Sequence, residues 1–328
     1  MTERTIQIRI DDRARLMSAL LSATNWPDNE QTRLRHRAHV HARNTTKRVA
    51  AVADHPAVRT LQSLLDMGTP LEAIYSYALS LSWPELTLKT PLPWAPVDWS
   101  QQIADFAKKA DIVGWWKEED DLWQRACEQT QHVITKADFY SFFKPFIGDI
   151  TEQLVFMPSI SYPSDNEIGV RLETELVCIA PPRIAWGDNE PWPFDDDAGH
   201  VYRGALSQYG RLLMSSYLRK YTTAVAPVAE KPLPVDDPYF ESLPTWNDQF
   251  TALFVAGAVA IFLEQTINVQ EANAYLLMEK KVHGITVLSS VVSVLKRYLN
   301  EHKDGRYSQF IDYLPSFSQH LRVTKGIG

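Results

Sequence analysis

Residues 199–221 read GHVYRGALSQYGRLLMSSYLRKY, and the fold turns on how this stretch is read. It follows PPRIAWGDNEPWPFDDDA at 181–198, a loop rich in Asp, Pro and Trp, and it predicts an amphipathic helix. At its centre stand Ser207, Gln208, Tyr209, Gly210 and Arg211. Ser207 and Arg211 are four residues apart, so on a helix they share one face.

The chain has 328 residues, of which 45% are hydrophobic, enough for a substantial core. The most apolar run, Phe250 to Leu263, is interrupted by Ala and Gly and stops at Glu264, which predicts a core helix and no membrane span. MTERTIQIRI lacks the apolar core of a signal peptide, and Cys127 and Cys178 are too few for a disulfide framework or a cysteine zinc site. A cytoplasmic location is expected. The net charge of -7 argues against general nucleic-acid binding, although 33–48, RLRHRAHVHARNTTKR, is a basic run.

Alternation at Thr5 to Ile10 predicts a strand, after which Asp11 or Asp12 caps a helix that stops before Trp26-Pro27. A second helix is expected over 29–54, then shorter ones at 57–66 and 70–81, with two or three more across 99–148. At Glu152 the texture changes to LVFMPSI and GVRLETELVCIA, short runs separated by SYPSDNE, which predict antiparallel strands and their turn. Beyond the opening helix, a Pro-rich connector precedes helices at 245–268, 270–283, 285–301 and 307–321. The expected division is a helical region 1–150 with one strand and a region 151–328 holding the small sheet, packed as one unit.

Four segments, IQIRIDDRARLMSALL, VADHPAVRTLQSLLDMG, the SQYGR helix and GRYSQFIDYLPSFSQHL, resemble in order and spacing a bacterial family of zincin-like metallopeptidases, a domain of unknown function. The resemblance spans nearly the whole chain. It implies an α+β, zincin-like fold, mainly helical, with a small antiparallel sheet beside the active-site helix. In that family the helix carries a motif like His-Glu-Phe-Gly-His, and a Glu on a later helix completes a zinc site. By this alignment Ser207 falls on the first His, Gln208 on the Glu, Arg211 on the second His, and Glu264 on the later acidic ligand.

These replacements remove the chemistry. A Ser hydroxyl is a poor zinc ligand beside imidazole, and a guanidinium stays protonated and opposes a cation. Gln208 cannot take a proton from water as a Glu does. No zinc or other cofactor is therefore expected. A sharper expectation is that the Arg211 guanidinium occupies the vacated metal position and pairs with Glu264.

Other ligands are weighed against simpler roles. His36 and His39, at i and i+3, suit a metal, but the surrounding arginines favour a solvated basic face. His200 lies two turns before Ser207 and is expected to cap or line the cleft entrance, and His283, before Gly284, to sit at a helix C-terminus favoured by the dipole. Asp195 to Asp197 lack the spacing of a calcium loop and read as a solvated turn and helix-start charges, while Trp186 and Trp192 suit either ligand stacking or anchoring of the loop. The leading functional expectation is a catalytically inactive zincin-like protein that binds or regulates a peptide or protein segment. The alternatives are a hydrolase using another residue set in the same cleft, and a structural helical scaffold.

Overall fold

The structure is a computed structural model that describes residues 4–33, 39–183 and 189–321, with the side chains at 30–33, 237, 238 and 240 excepted. In chain order the first elements are β1 (Gln7–Ile8), α1 (Asp12–Ser22), α2 (Trp26–Arg33), α3 (Val40–Val49), α4 (Pro56–Asp66), α5 (Leu71–Ser80), α6 (Trp99–Lys109), α7 (Ile112–Ile134) and α8 (Phe139–Ile147). The strands β2 (Gln153–Pro158), β3 (Ile168–Arg171) and β4 (Glu175–Ala180) follow. The remaining helices are α9 (Ala198–Lys220), α10 (Thr222–Ala229), α11 (Asp237–Ser242), α12 (Trp246–Thr266), α13 (Val269–Val282), α14 (Leu288–Lys303) and α15 (Phe310–His320). The class is α+β and mainly helical, as the sequence predicts.

The sheet corrects the expectation of an antiparallel arrangement. Its order is β1-β2-β4-β3, with β1–β2 and β2–β4 parallel and only β3–β4 antiparallel. The SYPSDNE segment does not close a hairpin between its flanking strands. It carries the chain past the β4 position to β3, and the turn at 172–174 brings β4 back beside β2. Short apolar runs mark strands but not their direction, because a strand buried on both faces shows no alternation that a turn could phase. β2 and β4 are such strands, buried at every position after their first. Val155, Met157, Val177 and Ile179 join the core built by α1 and α3–α6, while Phe156, of opposite parity, meets the ring of Phe194 at 6.5 Å.

The chain divides into two compact units with interleaved boundaries, and these do not follow 1–150 and 151–328. One comprises Ile6–Lys136 and Gln153–Val201, the other Ala137–Glu152 and the chain from Tyr202 onward, with the residues up to Thr5. The reason lies in the pairing of β1 with β2, which ties residues 153–180 to the N-terminal helices.

In the sheet-bearing unit Asp11 caps α1, accepting from Arg13 N–H at 3.0 Å. The helix predicted over 29–54 is not continuous, since His39 is extended and caps α3, and β1 is shorter than 5–10. Arg15 on α1 is buried, with its guanidinium carbon 4.3 Å from the Trp116 ring centre and 4.4 Å from that of Trp123. Burial lowers its pKa to about 10, opposed by the charges of Asp12, Glu119 and Asp120, so the side chain stays cationic at neutral pH.

The other unit is built around α12, whose residues from Phe250 to Leu263 are almost all buried. Among the described helices α12 alone is long and apolar enough to cross a membrane, and 78% of its most apolar window is buried inside the protein, as in a core helix. Phe146, Phe254, Tyr298 and Phe310 stack edge to face and tilted around it. Gly257 permits the approach of α14: a Cβ there would lie 2.8 Å from Val291 Cγ1 and 2.7 Å from Leu295 Cδ1. Gly257→Val is expected to lower the unfolding free energy in urea by about 1–3 kcal/mol through overpacking, with the m value unchanged. A loss below about 0.5 kcal/mol would show that α14 moves aside freely.

Candidate functional site

α9 begins where Asp197 accepts the His200 backbone N–H at 3.0 Å, and its last turn carries Arg219 and Lys220, which favour the helix dipole. Tyr202, Ala205, Leu206, Tyr209, Leu213, Met214 and Tyr217 recur at helical spacing and are buried. Two residues of the central motif therefore serve packing. Tyr209 is fully buried against the edge of Phe139 at 6.2 Å, and a Cβ on Gly210 would stand 3.2 Å from Val255 of α12.

The other three residues of the motif, Ser207, Gln208 and Arg211, lie half-buried on the opposite face and line a cleft of about 360 Å³. Gln208 Oε1 accepts from Arg211 Nη2 at 3.0 Å, which orients the guanidinium. Ser215 extends the α9 wall by one turn, and Thr251, Ala252, Val255 and Ala256 of α12 form another. Tyr275 and Glu279, four apart on α13, form a third, and Leu243, Asp248 and Ile285 complete it. Burial raises the Glu279 pKa, while the charge of His283, a hydrogen bond with Tyr275 and the charge of Arg203 pull it down. Burial, and next the Glu279 charge, hold the Tyr275 phenol well above its ordinary range. Tyr275 and Glu279 escape a motif-centred reading, although their i, i+4 spacing was visible; Ser215 is the next turn of the Ser207 face.

Glu264 does not join this site, and the expected Arg211–Glu264 pair is corrected. The carboxylate of Glu264 pairs with Lys296 of α14 at 2.5 Å, both side chains being about one-third exposed or more. Glu264 lies eight residues beyond Ala256, roughly 12 Å along α12, at the end away from the cleft.

The histidines separate as well. His36 and Trp186 lie outside the described residues. His39 is no part of a solvated face: it is fully buried as the N-cap of α3, its Nδ1 accepting from Ala42 N–H at 3.3 Å. Its Nε2 is buried with no hydrogen-bond partner among the described residues, and burial, with the charges of His41 and Arg43, lowers its pKa to about 3. His200 Nε2 lies 3.0 Å from the Pro181 carbonyl, so it ties the start of α9 to the start of the preceding loop and does not line the cleft. His283 is the exposed C-cap of α13, one turn after Glu279. Among the described residues no group of three or more His, Cys, Asp or Glu is arranged to hold a metal. Trp192 is 47% exposed, with the Arg183 guanidinium 5.9 Å from its ring, and it borders a separate cavity of about 110 Å³ with His41 and Arg125.

The buried neutral His39 sets a pH dependence. Its folded pKa lies below that of the unfolded chain, so its contribution is complete above about pH 6.5 and is lost as pH falls toward 3, at up to about 1.4 kcal/mol per pH unit. His39→Asn keeps a capping side chain that does not titrate, and urea unfolding between pH 4 and 7 is expected to show a shallower acid loss than the parent; identical slopes would refute this assignment. No protein-family model matches the chain, no curated protein matches it, and no solved structure matches it.

Proposed function

We propose that the protein is a zincin-like pseudo-peptidase, in which the helix bearing Ser207, Gln208 and Arg211 forms one wall of a cleft that binds a peptide or protein segment without cleaving it. The observation that supports this most directly is that these three side chains line a cleft of about 360 Å³. Their chemistry is that of hydrogen-bond recognition. A hydroxyl, an amide and a guanidinium offer donors and acceptors to a peptide backbone, whereas a metal needs imidazole, thiolate or carboxylate at those positions. The apolar side chains of Val255, Ala252 and Ile285 between the polar groups supply contact area for a side chain of the bound segment.

A second reading has one observation in its favour. Glu279 is a cleft carboxyl whose pKa is raised by burial and which is hydrogen-bonded to Tyr275, the setting of a general acid. On that reading the cleft is a metal-independent hydrolase and Glu279→Gln abolishes turnover.

Purified protein is expected to retain no stoichiometric zinc after zinc loading and gel filtration, and to leave a random tetrapeptide pool uncleaved. The same pool is expected to perturb the backbone amide resonances of 207–215. Retained zinc or Glu279-dependent cleavage would overturn the pseudo-peptidase reading, and unperturbed resonances would overturn binding in this cleft. Lys296→Met, which removes the partner of Glu264 outside the cleft, is expected to leave peptide binding unchanged and to cost at most about 1 kcal/mol of stability.

A further inference from the structure

We infer that the cleft selects an uncharged peptide segment with a small side chain, held by neutral hydrogen bonds to the hydroxyls of Ser207, Ser215 and Thr251. The inference rests on the binding reading above and names the class of segment that is bound.

A hydroxyl on a helix commonly closes on the carbonyl one turn earlier. Thr130 of α7 and Thr266 at the end of α12 do this, donating to the carbonyls of Ala126 and Phe262. Thr251, also on α12, is only 5% exposed and lines the cleft, yet its hydroxyl has no hydrogen-bond partner among the described residues. Ser207 and Ser215, about two turns apart on α9, line the same cleft and are equally without a side-chain partner there. A buried hydroxyl left unpaired is costly, and a peptide carbonyl or amide that enters the cleft removes the cost.

Charge sets what the ligand must lack. Arg211 stands between the two serines on α9 and already donates to Gln208 Oε1. Asp248, near the start of α12, accepts the Thr245 hydroxyl, and Glu279 is hydrogen-bonded to Tyr275 on the α13 wall. The charges of Arg203 and His283 act on Glu279 as well. The cleft therefore presents both signs of charge within a small volume. An acidic residue meets the carboxyl groups of Asp248 and Glu279, a basic one meets Arg211, and either gives up its hydration to enter. A neutral amide meets neither obstacle.

Size points the same way. Ala252, Val255 and Ala256 keep the α12 wall low, and about 360 Å³ lies near the lower limit of small-ligand pockets. About two residues of a segment enter, and a small side chain fits against Val255 and Ile285.

The test uses tripeptides that are N-acetylated and carboxamide-terminated, so that no terminal charge contributes. One pool carries Ala, Val, Ser or Thr at the central position, a second Asp or Glu, and a third Lys or Arg. Binding to the full chain is read from the backbone amide resonances of 207–215 and 251–256 at low and high salt. The neutral pool is expected to bind roughly 10-fold more tightly than either charged pool and to change less than about 2-fold with salt. Thr251→Val, which removes the hydroxyl at nearly constant volume, is expected to weaken the neutral pool by about 3- to 10-fold, and Thr251→Ser to restore it. Circular dichroism reports whether each variant is folded. Equal or tighter binding of a charged pool would overturn the selection of uncharged segments and leave the cleft as a peptide site. Binding of none of the three pools would overturn both readings. Unchanged binding by folded Thr251→Val would overturn the role given to that hydroxyl. The comparison of pools needs no variant, so a misfolded substitution does not shelter the proposal.

Discussion

The constraint on which the sheet-bearing unit depends is that β2 and β4 run parallel and side by side, so both of their faces must be covered. A parallel pair cannot be closed by a tight turn, and each face needs its own apolar layer. Every position of β2 and β4 after the first is buried. One face is served by α1 and α3–α6 through Val155, Met157, Val177 and Ile179, and Phe194 meets the other through Phe156. The same requirement draws residues 153–180 to β1, which is why the compact units interleave along the chain. At the margin of this core, Arg15 keeps its charge between two indole faces, with Asp12, Glu119 and Asp120 offsetting part of its desolvation.

α9 divides its residues between core packing and the cleft wall, and the division explains its motif. Tyr209 and Gly210 are needed by the core: one fills it against Phe139, and the other lets Val255 approach. Ser207, Gln208 and Arg211 are left to face a cleft whose further walls come from α12 and α13. Arg211, which donates to Gln208 Oε1, shares that cleft with the carboxyl groups of Asp248 and Glu279. Buried Tyr275 and half-buried Glu279 add a carboxyl held less acidic than usual, and they give this wall both donor and acceptor capacity.

Much of the helical framework was legible because its signals are local. Asp11 caps α1, and Gly284 adopts a positive φ of 69° just past His283. The cleft face of α9 followed from i, i+4 geometry alone. The pairing of Glu264 was not legible, since a sequence offset says nothing about which neighbouring helix brings a cation, and Lys296 arrives from α14. His39 was misread for a related reason: a residue among arginines looks solvated until the packing around α3 is known.

By itself the sequence determined the helices near 57–66, 70–81 and 199–221, the Asp11 cap, the two strand-forming runs after residue 152 and the residue types at 207–211, because each depends on residues within a few positions of one another. Tertiary structure alone decided strand direction and order, the interleaved units, the burial of His39, and the recruitment of Thr251, Tyr275 and Glu279 to the cleft in place of Glu264. Those outcomes depend on which distant surfaces must cover one another, and the apolar pattern of a buried strand or helix records that it is covered without recording by what.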